Sequence, residues 1–208
     1  MNLFKSFKVK LVLILVALMA IPLIVYGLIS INNNTDMITE NTYQENLSIA
    51  DGLATEVNDI LSSSESMLRV AAGAQSLKDM NVDAMDTVLS RLVEASEYIP
   101  NVYVMDTDGM QVYKTTGELG SRAYRGYFQE AMKGNTSFSE VLISRSRGVP
   151  IVVNATPIKQ DGKVVGVLGA SIDLGILSEL AVQANPGETG YGYIVDQQGR
   201  LIAHPDQE

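Results

Sequence analysis

The stretch NVYVMDTDGMQVYKT, residues 101–115, decides the fold. Asn101 to Met105 alternates and is rich in β-formers, Asp106-Thr107-Asp108-Gly109 is a turn, and Gln111 to Thr115 returns, so the segment predicts a β-hairpin. Its D-x-D-G tetrapeptide lacks the downstream carboxylates of an EF-hand loop and reads as a turn, not a metal site. The pattern recurs near the end of the chain. Tyr193-Ile194-Val195-Asp196-Gln197-Gln198-Gly199 repeats the order aromatic, two apolar, Asp, two polar, Gly that runs from Tyr103 to Gly109. A second sheet domain is therefore expected to begin near Gly190, and the chain to be a fragment of something longer.

Outward from the first hairpin, Phe138 to Ser144, Pro150 to Ile158 and Val164 to Ser171 predict three more strands, the last two joined by a turn at Gln160 to Lys163. Tyr127 to Lys133 predicts a short helix closed by Gly134, and Leu174 to Ala184 a closing helix before Asn185-Pro186-Gly187. Upstream, Met80 to Tyr98 predicts a helix ended by Pro100. From Asn46 to about Lys78 the positions Leu47, Ala50, Ala54, Val57, Leu61, Ser64, Leu68, Ala71 and Leu77 recur at three-and-four spacing, which predicts a long amphipathic helix. Its small residues allow close approach of a partner helix, from either a second copy of the chain or the sheet domain's own helix. Helices followed by strands give an α+β fold with one antiparallel sheet of about five strands.

Leu11 to Ile31 contains no charged side chain. Roughly 20 apolar residues cross a hydrocarbon core of about 30 Å as a helix, so this run predicts a transmembrane span; Pro22 and Gly27 are tolerated in that setting. Lys5, Lys8 and Lys10 precede it, which places residues 1–10 in the cytoplasm and residues 32–208 outside. A cleaved secretory signal is the alternative reading and leaves the outer part in the same place.

Composition narrows the function. All 24 acidic residues lie beyond the span while three of the 15 basic ones precede it, leaving the outer part a formal charge of −12. Such a surface repels nucleic acid and anionic headgroups. With no cysteine and one histidine, His204, there is neither a disulfide framework nor a zinc-type cluster. No G-x-S-x-G motif or persuasive carboxylate pair suggests an enzyme, so no catalytic residue and no cofactor are expected.

The chemistry concentrates in Ser121-Arg122-Ala123-Tyr124-Arg125-Gly126-Tyr127-Phe128. An arginine at the mouth of a helix with phenols on both sides suits an anion clamp, since the guanidinium offers a fork of donors and the rings wall out water. Asp173, after the last strand, offers an opposite charge for a zwitterion such as an amino acid. The same residues also read as Arg125 paired with a surface carboxylate and Tyr127 and Phe128 in the core. Tyr103, Arg145 and Arg147 are further candidate contacts.

The order of span, long helix, hairpin, R-x-Y-F, strands ending in Gly166-Val-Leu-Gly-Ala-Ser-Ile-Asp-Leu174, and second hairpin with Gly199-Arg-Leu-Ile-Ala-His-Pro205 resembles the N-terminal part of a double Cache sensor of bacterial methyl-accepting chemotaxis proteins. The resemblance covers nearly the whole chain. It implies a transmembrane helix at 11–31, a stalk helix at 32–78, a PAS-like membrane-distal Cache module at 79–184 that binds the ligand, and the start of a membrane-proximal module at 185–208. It further implies an inner-membrane homodimer joined through the stalk, with a small molecule or a periplasmic binding protein as partner. Chemotaxis is the implied output, a histidine kinase or diguanylate cyclase the alternative. In the amino-acid-binding branch an Arg-x-Trp-Tyr motif holds the carboxylate and an Asp holds the amine, which maps onto Arg125, Tyr127, Phe128 and Asp173, with Tyr124 beside them. Tyr127 stands where that branch has Trp, Phe128 where it has Tyr, and Gly120 where it has a further Tyr. The R-x-Y-F form also resembles Cache sensors for small carboxylates, so both ligand classes are implied.

Overall fold

A computed structural model describes residues 7–144, 147–184, 186–187, 190–195, 199 and 201–204. The chain falls into two compact units, one up to Ile49 and one from Ala50, a division inside the segment expected as stalk. Helix α1 runs from Phe7 to Ala72 and carries Pro22 within it. In the first unit its large apolar side chains from Leu11 to Ile31 are exposed, and the helix is long and apolar enough to cross a membrane. The asparagine-rich stretch after Ile31 does not end it: the hydroxyls of Thr35 and Thr39 donate to the carbonyls of Ile31 and Thr35, each at 2.8 Å. These groups turn back onto the helix instead of competing with it.

In the second unit α1 lays Leu68, Ala71 and Ala72 on a sheet. It stops at Ala72 instead of reaching Lys78, and after a turn at Gly73 and Ala74 a single helical turn, α2 (Gln75–Lys78), follows. Helix α3 spans Val82–Glu94, shorter than the sequence suggests at both ends. Met80 adopts φ 51, outside the helical region, and Asn81 caps the start through its side-chain oxygen, which accepts from the Ala84 N–H. At the other end Pro100 disfavours a helical conformation at Ile99, and the chain leaves the helix before it.

The sheet comprises β1 (Asn101–Met105), β2 (Gln111–Lys114), β3 (Ser137–Phe138), β4 (Leu142–Ile143), β5 (Pro150–Gln160) and β6 (Lys163–Asp173), with α4 (Gly126–Met132) between β2 and β3. The order is β2-β1-β6-β5-β3, with β4 also on β5, and every pairing is antiparallel. Six strands appear where about five were expected because Phe138 to Ser144 splits. The Ser139 hydroxyl accepts the Val153 N–H at 2.9 Å and donates to the Glu140 carbonyl, which interrupts the ladder. Asp161 and Gly162, with φ 49 and 78, close the β5–β6 hairpin in the left-handed geometry that suits a two-residue turn.

Strand alternation separates two faces. Val102, Val104, Leu168, Ala170, Ile172 and Ile158 face α1 and α3, meeting Leu68, Leu77, Met85 and Leu89. Tyr103, Met105, Ile151, Val153, Ala155 and Val167 face the other way, under Tyr127, Phe128 and Ala131 of α4. A buried polar contact crosses the helix side: Asn154 Nδ2 donates to Ser64 Oγ at 3.1 Å, both residues fully buried, and Ser64 Oγ donates to the Leu61 carbonyl. Helix α5 (Gly175–Gln183) and the hairpin β7 (Ile194–Val195) and β8 (Leu201–Ala203) form a third cluster with Leu53, Val57 and Ile60. The turn of this second hairpin lies partly outside the described residues.

Leu68 is fully buried whereas Val70, two residues on, is 80% exposed. Leu68→Ala is expected to cost about 2–5 kcal/mol in urea unfolding of the detergent-solubilised chain, against less than about 0.5 kcal/mol for Val70→Ala. Equal costs would refute the packing of α1 on the sheet.

Candidate ligand site

The loop between β2 and α4 folds back over the end of the first hairpin. Arg122 N–H donates to the Gly109 carbonyl at 2.7 Å, Gln111 N–H to the Gly120 carbonyl, and Met110 pairs with Ser121 as an isolated bridge. Gly109 makes this approach possible. It has φ +78, and a Cβ there would lie 2.6 Å from the Ala123 Cα. The same loop lowers Arg122 and Arg125 over the α4 side of the sheet, Arg125 occupying the residue before α4 with an extended backbone.

A cavity of about 70 Å³ lies beneath it, lined by Asn101, Tyr103, Gln111, Lys114, Arg122, Arg125, Tyr127, Leu142, Ile143, Ser144, Ile151, Val153 and Ser171. Three cations line it, and no carboxylate does among the described residues. Arg125 Nε and Gln111 Nε2 are buried donors without a hydrogen-bond partner among the described residues. Gln111 Oε1 is occupied, accepting the Gly120 N–H at 3.0 Å. Unpartnered buried donors cost free energy, and a bound acceptor removes that cost.

Burial lowers the Lys114 pKa from its ordinary 10.5, the Arg122 charge lowers it further, and Glu118 offsets part of this. Tyr103 donates to the Tyr127 hydroxyl at 3.2 Å. Burial raises both phenols above 10.0, Tyr103 well above, so at neutral pH both are uncharged.

Of the residues singled out from the sequence, Arg125, Tyr127 and Tyr103 meet in this cavity. Tyr124 is 58% exposed and stacks against the Arg125 guanidinium, 5.0 Å from ring centre to Cζ. Phe128 turns into the core beneath α4 and is not among the lining residues, because two consecutive helical positions point about 100° apart. Asp173 continues the ligand face one register step beyond Ser171 but is engaged elsewhere. Its Oδ2 lies 2.5 Å from Arg147 Nη1, and its Oδ1 accepts the Gly175 N–H at 2.8 Å. Arg147 is thus Asp173's partner and does not line the cavity, while Arg145 lies outside the described residues. Lys114, Arg122, Gln111, Asn101 and Ser171 went unrecognised in the sequence. Arg122 carried a signal, since it stands three residues before Arg125 in the same loop. Lys114 carried none: simple alternation puts it on the face opposite Gln111, and a bulge against β1 brings both to the same side.

The Cache domain family dCache_1 matches residues 34–208. Among curated proteins, the methyl-accepting chemotaxis protein PscA of Pseudomonas syringae pv. tomato is 32% identical over 85 residues, which is 40% of this chain and 14% of that protein. The chain therefore spans a small part of the length of such relatives. Among solved structures, the sensory domain of the Campylobacter jejuni chemoreceptor Tlp3 with isoleucine bound superposes with a TM-score of 0.66 at 18% identity, covering 83% of this chain and 74% of that one. The ligand-binding domain of the Pseudomonas fluorescens chemoreceptor CtaA with L-alanine gives 0.60 at 21% identity, covering 75% and 68%. At these identities the likeness establishes the fold.

The two phenols give the molecule an alkaline limit. An unfolded tyrosine ionises near pH 10 while these stay protonated in the fold, so above about pH 10 the unfolded chain binds fewer protons and stability falls as pH rises. Below that both states are neutral and the pair contributes no pH dependence. Tyr103→Phe is expected to make the alkaline decline in urea-unfolding free energy shallower; an unchanged slope would contradict the buried, neutral phenol.

Proposed function

Because the chain belongs to the dCache_1 family of Cache domains, we propose that it is the extracytoplasmic sensing part of a transmembrane chemoreceptor whose ligand is a small carboxylate-bearing solute. The observation that carries this reading is the cavity with Lys114, Arg122 and Arg125 on its walls and the Arg125 Nε and Gln111 Nε2 donors unpartnered within it. A carboxylate supplies acceptors to those donors. Arginine forks match its two oxygens, and lysine adds a point charge. Leu142, Ile143, Ile151 and Val153 form an apolar wall that suits the remainder of a short molecule. In this reading the site binds and orients its ligand.

In this proposal α1 crosses the inner membrane near its start, residues 32–208 lie outside, and two copies associate through the helix. Docking draws the loop from Gly120 to Gly126 onto the sheet and favours one of two arrangements of sheet and helix. Coupling of about 1–3 kcal/mol suffices for such a switch. The output is chemotactic, as in the chemotaxis-protein relatives.

An α-amino acid is the second reading, favoured by the position of Asp173 on the ligand face. To hold an amine, its carboxylate must exchange Arg147 for the ligand. A carboxylate without an amine needs no such exchange.

The test is a thermal-shift series on the detergent-solubilised chain with simple carboxylates and amino acids. At about 100 times Kd a ligand stabilises the fold by about 2.7 kcal/mol. Arg125→Ala is expected to weaken carboxylate binding about 10- to 150-fold, the worth of charge-assisted hydrogen bonds, with the unligated melting temperature little changed. Affinity is expected to fall as pH rises toward 10.5, because Lys114 loses its proton below that value and the anion loses a counter-charge. Undiminished affinity in Arg125→Ala would overturn the site.

A further inference from the structure

We infer that the ring of Tyr103, laid on the bare backbone of Gly169, sets the upper size of the anion this cavity admits. The inference rests on the carboxylate reading above and adds the determinant of ligand length. Across the sheet, Lys114, Tyr103, Gly169 and Ala155 stand opposite one another in register. Tyr103 therefore has a glycine and an alanine as its neighbours on β6 and β5. A Cβ on Gly169 would lie 2.5 Å from Tyr103 Cε2, 2.6 Å from Cζ and 3.0 Å from the hydroxyl oxygen. Side-chain carbons do not approach so closely, so the ring occupies the place a side chain at position 169 would fill.

From there the phenol reaches Tyr127 of α4, and the 3.2 Å hydrogen bond between the hydroxyls ties sheet to helix across the cavity. Tyr103 is only 3% exposed. The tie divides the ligand face. On one side lies the core formed by Met105 and Val167; on the other the next register row, Asn101, Ser171 and Val153, lines the cavity. The remaining space, about 70 Å³, holds about five to seven water-sized groups at roughly 10–15 Å³ each. That is room for the carboxylate and the first part of a short chain, bounded at the Tyr103 end. Because the tie is uncharged at neutral pH, it bounds the space without repelling the anion.

The experiment is calorimetric titration of the detergent-solubilised chain with straight-chain monocarboxylates from acetate to octanoate and dicarboxylates from malonate to adipate. The chain is expected to bind the short members and to lose about tenfold in affinity for each methylene beyond the limit. Tyr103→Val, which keeps a β-favouring residue and removes the ring, is expected to move the limit to longer chains. Gly169→Ala is expected to push the ring into the cavity and weaken the short members by at least about tenfold, and to have almost no effect in the Tyr103→Val background, where there is no ring to displace. If Gly169→Ala fails to fold by circular dichroism, the shift in Tyr103→Val decides alone. The proposal is overturned if octanoate binds the unaltered chain as tightly as the short members, or if Tyr103→Val leaves the limit where it was. Equal cost of Gly169→Ala with and without Tyr103 also overturns it. Absence of binding by either series to the unaltered chain would instead overturn the carboxylate reading, and the length limit with it.

Discussion

The register of β1, β6 and β5 is the constraint on which the rest depends. β5 and β6 pair from Ile151–Asp173 to Gln160–Lys163, and β1 locks against the far side of β6 from Asn101–Ser171 to Met105–Val167. Side chains alternate along each strand, so a slip of one residue would turn Val102, Val104 and Leu168 toward α4 and Tyr103 and Val153 toward α1. Both cores and the cavity would be lost together. The left-handed Asp161-Gly162 turn holds β5 and β6 in register at one end, and the Asn154–Ser64 bond holds β5 against α1 at its middle.

On this frame the site is assembled from parts that are individually unfavourable. Lys114 and Arg122 repel one another, the Arg125 and Gln111 donors lack acceptors, and a loop rich in glycine must be held down against its own conformational freedom. The frame tolerates this because the apolar clusters on both faces carry the stability. In the proposed function these costs fall where a carboxylate would relieve them. The acid of greatest interest, Asp173, is quieted by its bond to Arg147 and its cap on α5. The field in the cavity is therefore set by the cations.

Much of this was legible in the residues. The 101–115 hairpin, the α4 segment, the β5–β6 pair and the closing helix follow from alternation, turn residues and three-and-four spacing, and each depends on neighbours within one or two elements. Arg125 and Tyr127 were legible for a similar reason, since a cation and a phenol at the start of a short helix are a local pattern. What escaped depends on distant contacts. The bulge that turns Lys114 toward Tyr103 exists only against β1, Asp173 is occupied by a residue 26 positions earlier, and the Ser139 interruption needs Val153 across the ladder. Phe128 shows the converse: the motif suggests a contact, but the helical period assigns the position to the core. The end of α1 at Ala72 likewise reflects the packing of α2 and α3 beyond it, which no periodicity within the helix reveals.

Val153 and Asn154 are consecutive in β5, yet one lines the cavity and the other bonds to Ser64 on α1. Only one peptide plane separates the chamber from the helix. A sideways displacement of the strand by a fraction of an ångström reaches both sides at once, undiminished by intervening layers of side chains. The bond at Ser64 makes the far side stiff, because a buried amide cannot slide along a helix whose neighbouring positions, Leu61 and Leu68, offer it no side-chain partner. A single chain thus stands between the cavity and the helix, and the Asn154–Ser64 bond fixes one polar contact amid the apolar packing of Leu61, Leu68 and Ala71.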